Sequence, residues 1–127
     1  MPLSFRERRK ILKDANYLDL TPYHIFKSET DDKGLVTVLV PKFRNKLLAK
    51  LILPRLKSSH FKIKLDEIGS LAWQHIDGSK NVAMLSSELV DILGDKIQPV
   101  NERLPKFLTS LYLEGYISFN EIKKEGE

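Results

Sequence analysis

Between Leu65 and Gly115 the chain is punctuated three times in the same way. An apolar stripe at helical spacing runs until a glycine closes it. Asp66 is a good N-cap for the first segment, in which Ile68, Leu71, Ala72, His75 and Ile76 form the expected buried stripe. Asp77-Gly78 ends it, with Gly78 supplying a left-handed cap. In the second, Val82, Leu85, Leu89, Ile92 and Leu93 point inward and Gly94 follows. The third spans about 100–114, with Val100, Leu104, Phe107, Leu108 and Leu111 inward and Gly115 as its cap. Pro105 lacks an N–H and crowds the carbonyl of Asn101, so a distorted first turn is expected there. Trp73, on the flank of the first stripe, reads as an anchor at the core's edge. In this chain the three helices go with a further layer made of strands.

That layer lies upstream. "YHIFKSE" reads as a strand, "TDDKG" as a turn and "LVTVLV" as a second strand that Pro41 ends. His60, Phe61, Lys62, Ile63, Lys64 and Leu65 alternate and read as a third strand; Tyr116 to Phe119 reads as one more, short one. Ser4 and Glu7 fit a capping box for a basic helix over about 5–13, with few apolar positions and marginal by itself. The expected class is α+β and winged-helix-like: an N-terminal three-stranded antiparallel sheet, then three helices and a short C-terminal strand. At 127 residues there is room for one core. The division expected is a basic N-terminal helix or arm over 1–17, one domain over 18–119 and a frayed tail over 120–127.

Charge is distributed unevenly. Residues 1–58 carry 13 Lys/Arg against 6 Asp/Glu, a net +7, whereas residues 59–127 carry 8 against 11, a net −3. The stretch 42–58, "KFRNKLLAKLILPRLKS", holds six Lys/Arg and no acid. Phe43, Leu47, Leu48, Leu51 and Ile52 recur in it at helical spacing, so an amphipathic helix to about Leu53 is expected, stopped by Pro54. Such a helix covers its own sheet, or docks a protein or an anionic membrane. With no cysteine, disulfides and thiolate metal sites are excluded. No apolar run approaches the roughly 18–20 residues of a membrane span, and the charged start lacks the apolar segment of a secretory signal, so a cytoplasmic location is expected.

Catalytic chemistry finds little to work with. There is no glycine-rich phosphate loop and no cysteine nucleophile, and His24, His60 and His75 lack metal-binding spacing. His75 reads as a core histidine with a hydrogen-bond partner. Asp66 and Glu67, being adjacent, point different ways on a helix and do not form a working carboxylate pair. A binding protein is expected, not an enzyme. Nucleic acid is a poor fit as ligand: a winged-helix reader needs a cationic recognition helix, and the last helix sets Arg103 and Lys106 against Glu102 and Glu114 within the acidic half.

"LDEIGSLAWQHIDGS", a short helix, and then "VNERLPKFLTSLYLEGYI" resemble the PqqD family, named for a protein of pyrroloquinoline quinone biosynthesis. The matching positions are Leu65-Asp66, Ala72-Trp73, Asp77-Gly78, Leu111, Gly115 and Ile117, and "LTPYHIFKSE…GLVTVLVP" is similar to the family's opening strands. The likeness covers about Leu18 to Phe119. It implies a recognition element for the leader of a ribosomally made precursor peptide, which the domain presents to a modifying enzyme of the radical S-adenosylmethionine type. The leader would add as a strand to the third strand, in the groove beside the last helix. No cofactor of its own is implied, since the iron–sulfur cluster and S-adenosylmethionine belong to the partner. Small members pass directly from second to third strand, whereas this chain inserts 42–58 there.

The candidate peptide site is therefore His60, Phe61, Lys62, Ile63, Lys64 and Leu65 of the edge strand, with Arg103, Lys106, Phe107 and Ser110 of the last helix. Lys62 and Lys64 would favour an acidic peptide. Lysines also protect exposed sheet edges from unwanted pairing, and both readings stand at this point.

Overall fold

The chain is mixed α and β, and each capped segment becomes a helix. The computed structural model describes residues 4–13, 16–42, 50–51 and 59–122. Helix α1 is Phe5–Lys13. Strands β1 (Pro22–His24), β2 (Ser28–Thr30), β3 (Val36–Pro41) and β4 (His60–Lys64) follow. Then come α2 (Glu67–His75), α3 (Val82–Leu93), α4 (Val100–Leu113) and β5 (Ile117–Phe119). Single 3₁₀ turns lie at Tyr17–Asp19, Gly94–Ile97 and Asn120–Ile122.

The caps explain the helix starts. Ser4 Oγ accepts from Glu7 N–H at 3.2 Å, the first bond of a capping box, and donates to the Glu7 carboxylate at 3.0 Å, so both bonds that begin α1 run through the hydroxyl. Asp66 accepts from Gly69 N–H at 2.7 Å to start α2, and Asn81 from Met84 N–H at 2.8 Å to start α3. Gly78, with φ at 80°, makes the left-handed exit after α2. At α4 the Pro99 carbonyl takes both Glu102 N–H at 3.1 Å and Arg103 N–H at 3.0 Å, a tightened first turn, and the helix runs on through Pro105.

Strands β2, β3 and β4 form an antiparallel sheet in that order, with Val38 opposite both Ser28 and Ile63. The expected single strand over "YHIFKSE" divides between two sheets. Tyr23 and His24 belong to β1, which pairs with β5 (Tyr23 opposite Ser118), while Ser28 and Glu29 belong to β2. Ile25 N–H reaches the Tyr116 carbonyl at 2.9 Å, so the chain turns from one sheet to the other around Phe26. The core between sheets and helices holds Val36, Val38, Trp73, Leu85, Leu89, Leu104, Leu108, Tyr112 and Phe119.

Several expectations are corrected by packing. The buried side of α2 is Gly69, Ser70, Ala72 and Trp73, with Ile68, Leu71 and His75 only half-buried. Trp73 is inside the core at 1% exposure rather than at its edge; its indole N–H donates to Ser28 Oγ at 3.0 Å and His24 stacks on it at 3.9 Å. His75 bonds Glu88 at 2.9 Å near the surface rather than in the core. Ile92 is 54% exposed, and Ile97 from the following 3₁₀ turn is buried instead. Within the tail expected to fray, residues 120–122 are tied down: Asn120 donates to the Gly78 carbonyl at 2.9 Å, and Glu121 accepts from both N–H and hydroxyl of Thr21. Residues 123–127 lie outside the described residues. So does most of the 42–58 insertion, with the amphipathic helix expected in it to about Leu53; Lys50 and Leu51 are helical and exposed.

Helix α1, marginal on its own, is secured by a charge. Arg8 is buried and donates through Nη1 to the carbonyls of Tyr112 at 3.1 Å and Ile117 at 3.3 Å, with its guanidinium 4.8 Å from the Tyr112 ring centre.

Candidate functional site: a strand edge and the cleft at its end

Backbone register decides what β4 can offer. Leu65 N–H donates to the Val36 carbonyl at 2.9 Å and Lys42 N–H to the Ser59 carbonyl at 3.0 Å. Antiparallel pairing alternates, so residues 59, 61, 63 and 65 aim their polar backbone at β3. Residues 60, 62 and 64 aim theirs away from it. Among the described residues no strand lies on that outer side of β4. Of the six predicted edge residues, then, Phe61, Ile63 and Leu65 hold the ladder, and Lys62 and Lys64 present N–H and C=O outward. Lys62, Lys64 and Phe61 are exposed, and Ile63 and Leu65 are half-buried against the core. Lys42 Nζ stands 5.4 Å from the Phe61 ring centre, which keeps a cation over that exposed aromatic.

The strand runs directly into the start of α2, where a serine locks the junction. Ser70 is buried; its hydroxyl accepts from Val36 N–H at 2.8 Å and donates to the Leu65 carbonyl at 3.3 Å. A helix residue thereby completes the last rung of the β3–β4 ladder.

Beyond that junction α2 and α4 leave a cleft of about 110 Å³. Buried Ala72, Ile97 and Leu104 give it an apolar lining, and Asp66 and Arg103 bring opposite charges to it. Gly69 and Phe107 press together in its wall: a Cβ on Gly69 would stand 3.0 Å from Asp66 Oδ1 and 3.3 Å from Phe107 Cε1. Arg103 is steadied by donation to the Lys96 carbonyl.

The structure thus brings together Arg103 and Phe107 of the predicted helix residues. Lys106 and Ser110 share that exposed side of α4 but do not line the cleft, and the Ser110 hydroxyl is engaged by the Lys106 carbonyl at 3.1 Å. Sequence reasoning missed Gly69 and Ile97 as lining. The glycine had a legible signal, since a glycine in a helix's first turn marks a close approach. Ile97 had none, because it sits in a 3₁₀ turn with no apolar period of its own. Among the described residues there is no cluster able to hold a metal ion and no helix long and apolar enough to cross a membrane.

No family model, no curated protein and no solved structure matches this chain. The functional reading therefore rests on the geometry of the edge and the cleft.

Proposed function

We propose that this protein is a peptide-binding domain which takes the leader of a ribosomally made precursor peptide as an added strand along β4 and presents it to a modifying enzyme of the radical S-adenosylmethionine type. The reading is supported above all by one observation: the outward backbone groups of Lys62 and Lys64 lie on an edge that leads straight into a partly apolar cleft. Strand addition needs this pair of features, main-chain groups for affinity and a pocket for side-chain choice. The cations at Lys62, Lys64, Arg103 and Lys106, all exposed, favour an acidic peptide. The reaction and its cofactors belong to the partner enzyme in this reading.

Titration of a fluorescently labelled precursor peptide encoded beside the gene tests it, with a Kd of about 1 μM expected, close to −8 kcal/mol. Lys62→Pro removes one outward N–H while leaving the β3 ladder intact, a replacement edge strands tolerate. It should weaken binding about tenfold, the effect of roughly one net hydrogen bond. Lys62→Gln, which keeps the N–H, should weaken it much less. Absence of binding by any such peptide, or equal affinity in the Lys62→Pro protein, overturns the proposal.

A further inference from the structure

Helix α1 carries a second feature that the peptide site does not use. Arg6, Arg9, Lys10 and Lys13 are all exposed, and none of them makes a hydrogen bond or ion pair among the described residues. At 3.6 residues per turn they fall within roughly 100° of arc and about 10 Å of helix length. Buried Arg8 and half-buried Leu12 lie on the other side, against the body. The one acid of the helix, Glu7, is off the arc and held by Ser4. Phe5, 52% exposed, stands one residue before the arc and about 40° to its flank.

From this arrangement we infer that α1 is a docking face for an anionic lipid surface. The occupant follows from what the arc offers and lacks. The core of a protein interface is built on packed apolar groups and depleted in charge, and here four cations have a single aromatic at their flank. Reading DNA bases would require the helix to enter a groove, and its inner side is fastened to the body, by Arg8 at the Tyr112 carbonyl and by Leu12 against the core. A flat anionic bilayer asks only for outward cations and an aromatic at the interface. Rigid attachment through Arg8 keeps the four charges on one side whether or not lipid is present. Tyr17, which follows α1, covers α4 at Pro105 and Thr109. That side is roughly 180° around the helix from Arg103 and Phe107. A protein seated on a membrane through α1 therefore keeps its cleft clear of the bilayer, although the docking face stands independently of the peptide proposal.

Co-sedimentation of the full chain with vesicles tests the inference. Phosphatidylcholine vesicles containing about 30% phosphatidylglycerol should bind, with each cation raising partition about fivefold over pure phosphatidylcholine. Raising salt from about 0.05 to about 0.5 M should release the protein. Arg6→Gln with Lys10→Gln should lower partition about 25-fold. Lys62→Gln with Lys64→Gln, on the distant strand, should leave it unchanged. Circular dichroism confirms that the α1 variant is folded. Equal partition onto both vesicle types, unchanged partition of the α1 variant, or binding of duplex DNA without vesicle binding would each overturn it.

Discussion

Ser70→Ala isolates the junction on which the site depends. The hydroxyl is buried and bridges Val36 N–H at 2.8 Å and the Leu65 carbonyl at 3.3 Å. Alanine fills nearly the same volume, so packing changes little and the loss is one of hydrogen bonding. The stronger bond leaves a buried N–H without a partner, which costs about 1–3 kcal/mol; the longer one adds little. A destabilisation of about 2 kcal/mol is expected. For a chain of 127 residues this lowers Tm by about 7 °C. In urea the midpoint should fall by about 1 M with the m-value unchanged. Hydrogen exchange should show the Val36 amide losing protection while Val38, paired in mid-strand, keeps it. Ser110→Ala is the control, because that exposed hydroxyl only returns to its own helix; its effect should stay within about 0.5 kcal/mol. A loss below about 0.5 kcal/mol in Ser70→Ala, with Val36 still protected, would mean that the strands close directly on each other. The clamp would then not be what holds the end of β4.

Four further outcomes are expected. Gly69→Ala gains about 1 kcal/mol of helix propensity but crowds Asp66 and Phe107, so urea unfolding should show a net loss of about 1 kcal/mol; adding Phe107→Leu should recover most of it. Arg8→Met leaves the carbonyls of Tyr112 and Ile117 without their cation and should lower stability by about 3 kcal/mol in the same assay. Burial holds the His24 imidazole below its ordinary value, against a smaller opposing effect of its bond to the Trp73 carbonyl. The unfolded state therefore takes up the proton first: stability is complete above about pH 6.5 and declines as pH falls through the lowered folded value. His24→Gln should flatten that slope in denaturation measured between about pH 7 and 5. Tyr17, pushed up to about 12 by burial, acts at the other end. Its neutral hydroxyl bonds the Pro105 carbonyl at 3.0 Å, so stability should fall as pH rises from about 10 towards 12, and Tyr17→Phe should remove the effect.

How far the fold could be read depended on whether a residue's neighbours were local. Asp66, Gly78, Leu85, Leu104 and Leu111 were legible because caps and helical periods are set within a few residues. The split of "YHIFKSE" was not, because both halves are equally extended and only their partners, β5 and β3, differ. Arg8 was legible only as one residue of a basic helix or arm, since nothing nearby in sequence indicates that Tyr112 and Ile117 would leave two carbonyls for it. The rotated stripe of α2 has a related cause. Gly69 and Ser70 are small and polar by type, yet they are buried because Phe107 and the end of the ladder come so close. At the site, alternation identified the edge strand, but which of its residues face outward required the register with β3.

The six residues from Leu65 to Ser70 join edge and cleft. Leu65 ends the ladder, Asp66 caps α2 while reaching the cleft, Gly69 makes room for Phe107, and Ser70 closes on Val36 and Leu65. A strand added along Lys62 and Lys64 would stiffen β4 and hence Leu65. A side chain placed in the cleft would press on Gly69 and Phe107, one residue from Ser70. Under the peptide-binding proposal, ordering one half is expected to order the other, so peptide contacts in the two places should couple. In a double-mutant cycle, Lys62→Pro and Phe107→Leu should together cost less peptide affinity than the sum of their single effects, by about 0.5–1 kcal/mol. Strict additivity would instead mean that edge and cleft bind the peptide independently, with no mechanical link through Leu65 to Ser70.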